Sequence, residues 1–302
     1  MTLSSSFHIG ESSSRRQMIC GVIAAAASVA SLGRTAARAA APPPPQLRVQ
    51  RLAWAGLRLQ LPAATLFIDP LIDPTVWGAA LSDKLIAVDD PVGESVVLIT
   101  HRHSDHGDAI AIAAALKSGG TLAYAAGTPP FGGLPANVRQ RPCPLWEPQI
   151  FGDFTATPVP ASDGYGDLQV SWVVSGGGRR IFHGGDTMMH GGWWRVGRQF
   201  GSFDAAFLPI NGATFSWRKP ATDEPAVLTP KQAVAAATIL GAERIVPIHY
   251  GVVGADGYSE MPDPLGALQD ASRHGGSYVT VLKPGEWLNW QERQTARAAP
   301  MP

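Results

Sequence analysis

The apolar run Val96-Val97-Leu98-Ile99-Thr100 leads directly into His101, His103, Asp105 and His106. Three imidazoles crowded this closely repel one another when all are charged, and burying them without partners opposes folding. A metal ion is the usual agent that makes such a cluster favourable, since neutral imidazole and ionised carboxylate are both ligands. His101 and His103 can converge on one ion as the chain leaves a strand. Asp105 and His106 then point differently and can hold a second. Three more candidates also follow predicted strands: Asp163 after "TPVPAS", Asp186 in "IFHGGDT" and His249 in "IVPIHYG". Strand ends are where a rigid scaffold presents ligands.

Other residues carry weaker signals. Asp69, ending "TLFID", reads as a structural or supporting carboxylate beside the same centre. His183, shortly before Asp186, fits a ligand or a partner of Asp186 as well as a satisfied structural histidine. His190 reads as part of a solvated loop. Trp193 and Trp194 read as core rather than as an apolar substrate wall. Tyr250 is a candidate proton donor to a leaving group, although a packed strand tyrosine is the more ordinary role. His274 sits near a helix end with no partner among these residues.

The elements that must position these groups alternate strand and helix. "LRVQRLAWAGLRLQLP" alternates apolar and polar residues, as half-buried strands do. "TLFI", "SVVLIT", "FTATPVPA" and "FDAAFLPI" are further strands, and "LQVSWVVSGGGRRIFH" is a strand pair turning at Gly176-Gly177-Gly178. "GDAIAIAAALKSGG" has helical apolar spacing and a glycine stop. "TPKQAVAAATILG" predicts a helix with Thr229 as N-cap, Pro230 at its first position, Gln232 completing a capping box and Gly241 past its end. "DPLGALQDASRHGG" predicts a second helix of this kind, and "SYVTVLKPGEWLNW" a closing hairpin. No internal repeat and no compositional break divides residues 46–295, which form one expected domain.

The first forty residues differ from the rest. Residues 1–39 contain Arg15-Arg16, an Ala-rich apolar run too short for a confident membrane span, and Ala37-Arg38-Ala39 as a small-x-small cleavage site. They resemble a twin-arginine export signal with Ser14 to Met18 at its core, which implies a periplasmic or secreted protein with no stable membrane anchor after cleavage. His8 belongs to this leader. Cys20 precedes most of the apolar run and does not read as a lipid-attachment site. Residues 40–45 form a Pro-rich spacer. The leader holds four arginines and one glutamate, so a chain of net charge +0 leaves a mature part of −3. That balance argues against nucleic acid as a partner. Cys143 is the one cysteine beyond the leader, so an intrachain disulfide is excluded and stability must come from the core and from metal.

With "FIDP", "THRHSDHGD", "HGGDT", "FDAAFLPI" and "LTPKQAVAAATILGAERIVPIHYG" in place, the chain resembles the metallo-β-lactamase superfamily. Its closest look is to the branch of ascorbate-phosphate lactonase-like and N-acyl-phosphatidylethanolamine phospholipase D-like proteins. The resemblance spans nearly all of residues 46 to 290. It implies an α/β fold, a four-layer αββα sandwich with a metal cleft at one sheet edge. It assigns His101 and His103 to the first ion, Asp105, His106 and His249 to the second, and Asp186 to a bridging position. The family has a further first-ion histidine in the loop where "VPASDG" places Asp163, so Asp163 is expected as a ligand there, against the alternative that it turns away. Two divalent ions are implied, zinc first, with manganese or iron as alternatives. The implied activity is hydrolysis of a small-molecule ester, lactone, amide or phosphodiester by a metal-activated water, with Asp105 orienting that water or taking its proton. The alternative is a degenerate member that binds metal or ligand without turnover, which Asp163 alone favours.

Overall fold

Strands that are apolar on both faces need cover on both sides, and the central strands of this chain are of that kind. The computed structural model describes residues 46–273 and 276–291. The leader with His8, the spacer, His274 and the last residues of the expected domain lie outside the described residues.

The first sheet holds β1 (Arg48–Arg51), β2 (Leu57–Leu61), β3 (Ala64–Ile68), β4 (Glu94–Leu98), β5 (Gly120–Ala125) and β6 (Val138–Cys143) in sequential order. β1 to β3 form an antiparallel meander, and β3 to β6 run parallel. Next come β7 (Gln149–Phe151), β8 (Phe154–Pro160), β9 (Val170–Gly176), β10 (Arg179–His183), β11 (Ala205–Pro209), β12 (Thr214–Phe215), β13 (Arg244–Ile248), β14 (Tyr258–Ser259) and β15 (Tyr278–Val279). The second sheet has the order β15-β13-β11-β10-β9-β8-β7, while β12 and β14 pair only with each other. It is antiparallel from β7 to β10 and parallel from β10 to β15. The helices are α1 (Ala109–Ala115), α2 (Gly192–Phe200), α3 (Pro230–Leu240) and α4 (Pro264–Ser272).

Alternation along the strands builds the layers. Val96 and Leu98 of β4 join Leu59, Trp172, Phe207 and Val246 in the core between the sheets. Val97 and Ile99 face the other way, onto Ala111 and Ile112 of α1. On β11, Ala206 and Leu208 face outward with Trp193 of α2 and Ala233 and Ala237 of α3. The result is the expected α/β/β/α sandwich. α3 forms as its sequence dictates: the Thr229–Gln232 capping box is complete, Pro230 opens the helix, and Gly241 closes it in the left-handed conformation at φ 64°.

Two local expectations need correction. From Val49 onward β1 and β2 are buried on both faces rather than half-buried, because Arg51 and Arg58 are paired instead of solvated. Arg51 meets Asp83 at 2.7 Å, and Arg58 meets Asp90 at 2.7 Å while stacking over Phe67. The segment after Ser277 is not a hairpin. Tyr278 and Val279 add to β13 in parallel, and the chain beyond Pro284-Gly285 crosses to the first sheet, where Leu288 N donates to Val49 O at 2.7 Å. Proline and glycine interrupt the strand, so its two halves serve different sheets.

Candidate metal centre

β4 ends at Leu98, and its parallel register with β3 sets Ile68 opposite Leu98. Asp69 therefore emerges beside Thr100 at the start of the histidine loop. Asp69 is fully buried and saturated with donors: Thr100 N at 2.8 Å on Oδ1, and Thr100 Oγ1 at 2.6 Å and His106 Nδ1 at 2.8 Å on Oδ2. A carboxylate only accepts, so His106 carries its proton on Nδ1 and turns the lone pair of Nε2 to the centre. Thr100 donates to Asp69, so its oxygen accepts from His101 Nδ1 at 3.0 Å, which fixes His101 in the same tautomer. One carboxylate thus orients two rings, directly and through a hydroxyl. His103 is held in the opposite sense, with Nε2 donating to Asp167 at 3.0 Å and Nδ1 lying 2.9 Å from His101 Nε2. The loop closes where His106 N and Gly107 N donate to His103 O. Asp108 then caps α1 and also accepts from Ile72 N and Asp73 N, tying the segment after Asp69 to the same loop.

The parallel run of β10, β11 and β13 brings the other groups to the same edge. Asp186 follows β10 and His249 follows β13, where His249 adopts a left-handed φ of 56°. Two groups of atoms that could ligate a metal result, each with all its members within 4.8 Å of one another: His101, His103, Asp163 and Asp186 in one, and Asp105, His106 and His249 in the other. Asp186 Oδ2 lies 3.4 Å from His101 Nε2 and 4.0 Å from His249 Nε2, so it stands between them. Asp163 is nearly buried; its Oδ2 accepts from Tyr165 N at 2.5 Å and Asp167 N at 3.1 Å, which holds the carboxylate in place. The seven residues assigned from the sequence as candidate ligands fall in these two groups, whereas His183, the other possible ligand, is in neither.

The chemistry of this donor set fits a cation. His106 Nε2, both ring nitrogens of His249 and Asp186 Oδ1 are buried without a hydrogen-bond partner among the described residues. Each such atom costs about 1–3 kcal/mol unless something binds it. The electrostatics mark a place that draws positive charge. Burial drives the His106 imidazole down, yet the Asp105 and Asp69 charges carry it up to about 9, so in the metal-free protein Nε2 takes up a proton that a bound ion would have to displace. Burial works against the Asp186 carboxylate, but His101, His106 and His249 hold it well below the carboxylate range. Burial pushes His249 down to about 3 despite Asp186, so its ring is neutral and able to ligate.

The weaker candidates divide. Asp69 is the supporting carboxylate the sequence pointed to. His183 is structural: Nε2 donates to Ala55 O at 2.8 Å and Nδ1 accepts from Gly185 N. Burial drives its ring down, so it stays neutral. His190 is half-buried rather than solvated, since its Nδ1 accepts from Gly192 N and its ring packs on Trp193. Trp193 is core, whereas Trp194 is exposed. Tyr250 packs beside the helical layer and over Arg51, away from the cavity that opens onto the two groups.

Several residues of the centre were not found from the sequence. Trp54 is fully buried, donates from Nε1 to Asp105 Oδ2 at 3.1 Å, and packs its ring on His249 at 4.0 Å. Asp167 supports His103. Trp77, Tyr165, Phe215, Trp217 and Tyr258 line the cavity. A faint signal existed: Trp77 and Trp217 stand in Gly- and Pro-containing loops, where a large apolar ring lacks the cover of a regular element.

Residues 64–250 match the family model described as beta-lactamase superfamily domain. A UPF0173 metal-dependent hydrolase of Thermus thermophilus is 29% identical over 234 residues, covering 72% of this chain and 89% of the relative. One from Geobacillus thermodenitrificans is 32% identical over 200 residues, covering 60% of this chain and 76% of the relative. Among solved structures, the metallo hydrolase Igni18 of Ignicoccus hospitalis shares the fold at TM-score 0.59 and 19% identity, over 80% of this chain and 97% of its own. The diiron beta-hydroxylase CmlA of Streptomyces venezuelae does so at TM-score 0.60 and 17% identity, over 82% of this chain and 55% of its own. Layer order, edge-clustered ligand residues and matched sequence agree, and the chain belongs to the metallo-β-lactamase superfamily of metal-dependent hydrolases.

Proposed function

We propose that this protein hydrolyses a small-molecule ester, lactone, amide or phosphodiester with two divalent ions. His101, His103 and Asp163 hold the first, Asp105, His106 and His249 the second, and Asp186 lies between. The observation that carries this reading is the convergence of partnerless, buried His106 Nε2, His249 Nε2 and Asp186 Oδ1 on one edge that opens to a cavity. Bound ions of this kind supply Lewis acidity that brings the pKa of a water near neutrality. The chain's own residues do the rest. Trp54 holds Asp105 by Oδ2, leaving its other oxygen to orient the attacking water and take its proton. Asp69 and Asp167 keep three rings in the tautomers that ligation needs. The imidazole content favours zinc, while a carboxylate at 163 hardens the first set towards manganese or iron. The lactonase-like stretches of the sequence favour a lactone or ester among the four bonds.

Asp163 stands beside His101 and His103, which supports turnover over a non-catalytic relative. The arginine pair, the apolar run and the Ala37-Arg38-Ala39 site support export of the folded protein to the periplasm, with a mature start near Ala40. The test is His249→Ala. Elemental analysis should show a metal deficit and lactone or ester hydrolysis should vanish, while circular dichroism stays close to wild type because the core is built by the strands. Full metal content with full activity would overturn the assignment.

A further inference from the structure

The cavity before the two groups holds about 450 Å³, and its two halves differ in kind. One end carries the ligand residues and Asp167. The remaining lining sets Val76, Ala226 and Val227 beside a run of five contacting rings. Trp77 lies 4.9 Å from Tyr258, Tyr258 lies 5.3 Å from Phe215, and Phe215 lies 5.0 Å from Tyr165 and 4.9 Å from Trp217. The register of β12 and β14 sets Phe215 directly opposite Tyr258, so the small two-stranded sheet exists to present this wall. The Tyr258 hydroxyl accepts from Asn211 Nδ2 at 2.6 Å and the Tyr165 hydroxyl accepts from Trp217 Nε1, while Trp77 Nε1 is buried without a partner among the described residues. Most of what the wall offers a ligand is ring surface.

Among the described residues no lysine or arginine lines the cavity. Arg218 stacks on two rings of the wall, Tyr165 at 4.3 Å and Phe215 at 5.8 Å, without itself lining the cavity. An aromatic ring of a ligand would bury its faces against these neighbours.

Building on the hydrolase reading above, we infer that the site selects substrates bearing an aromatic group beside the scissile bond. The experiment uses zinc-loaded protein and two γ-lactones carrying a phenyl or a methyl substituent. The phenyl lactone should exceed the methyl lactone in kcat/KM by about tenfold or more, and Trp217→Ala should shrink that advantage. Equal or faster turnover of the methyl lactone would overturn the inference. In parallel, cyclopentanones with the same two substituents, which cannot be hydrolysed, are titrated by tryptophan fluorescence. If no lactone is cleaved, lactone hydrolysis fails, yet the ketone titration still decides selectivity: tighter binding of the phenyl ketone sustains it, and equal binding of the two ketones overturns it.

Discussion

Asp69→Asn tests how the ligand rings are oriented. Three donors, Thr100 N, Thr100 Oγ1 and His106 Nδ1, converge on the two oxygens of a fully buried carboxylate. An amide offers one oxygen and one NH₂ group, so at least one donor faces another donor whichever way it turns. An unsatisfied buried donor costs about 1–3 kcal/mol, and more when a charge-assisted bond is lost. The larger consequence is for ligation. His106 loses the partner that fixes its tautomer, and the Thr100 hydroxyl loses the acceptor that lets it receive His101 Nδ1–H. Loss of such an outer partner typically weakens metal binding about 10–100-fold, or about 1.4–2.7 kcal/mol. Both groups should weaken, since His106 belongs to one and His101 to the other. Thr100→Val should weaken the first group alone, because it removes the hydroxyl between Asp69 and His101 but leaves the Asp69–His106 contact. Competition against a chromogenic zinc chelator resolves the two dissociation constants, and urea unfolding of the metal-free variants separates general destabilisation. Unchanged constants for Asp69→Asn would refute the orienting role, and equal weakening of both groups by Thr100→Val would refute the relay.

Four further outcomes are expected. Asp163→Ala should lose about one ion per chain and most activity, whereas Asp163→His should keep two with stronger zinc preference; wild-type metal content and rate in the alanine variant would show that Asp163 is no ligand. Trp54→Phe keeps a ring beside His249 but removes the donor to Asp105, so second-ion affinity should fall by about tenfold in the same chelator competition; an unchanged constant would dismiss Trp54 as a positioning residue. In metal-free protein, His106, raised to about 9, stabilises fully below the ordinary histidine value and loses that contribution as pH rises through about 9, while His249, lowered to about 3, stabilises fully above it and loses its share as pH falls towards 3. The melting temperature should therefore peak near pH 6.5, the ordinary histidine value, and a monotonic profile between about pH 5 and 9 would contradict these environments. Replacing Arg15 and Arg16 with lysine should leave precursor inside the cell, and normal export would rule out the twin-arginine route.

The sequence by itself determined the parts of the site that are local. His101, His103, Asp105 and His106 follow a strand within a few residues, so their convergence needs only a loop. The Thr229 capping box, the glycine turn at 176–178 and the apolar strands before Asp186 and His249 are short-range patterns too, and each formed as read. Tertiary structure decided everything that depends on strand register and sidedness. Asp69 finds Thr100 and His106 because β3 and β4 pair in parallel with Ile68 opposite Leu98. Asp186 and His249 reach one edge because β10, β11 and β13 run parallel. His183 and Asp186 looked alike as ligands in one dimension. His183 lies on the same strand face as Ile181, which points into the core between the sheets, so its ring bonds Ala55 O there, while Asp186 lies past the strand end and is free to turn to the centre. Trp54, Asp167 and the aromatic wall come from separate loops and from the small β12–β14 sheet, whose meeting no spacing encodes, because tertiary packing, rather than any local periodicity, brings them together.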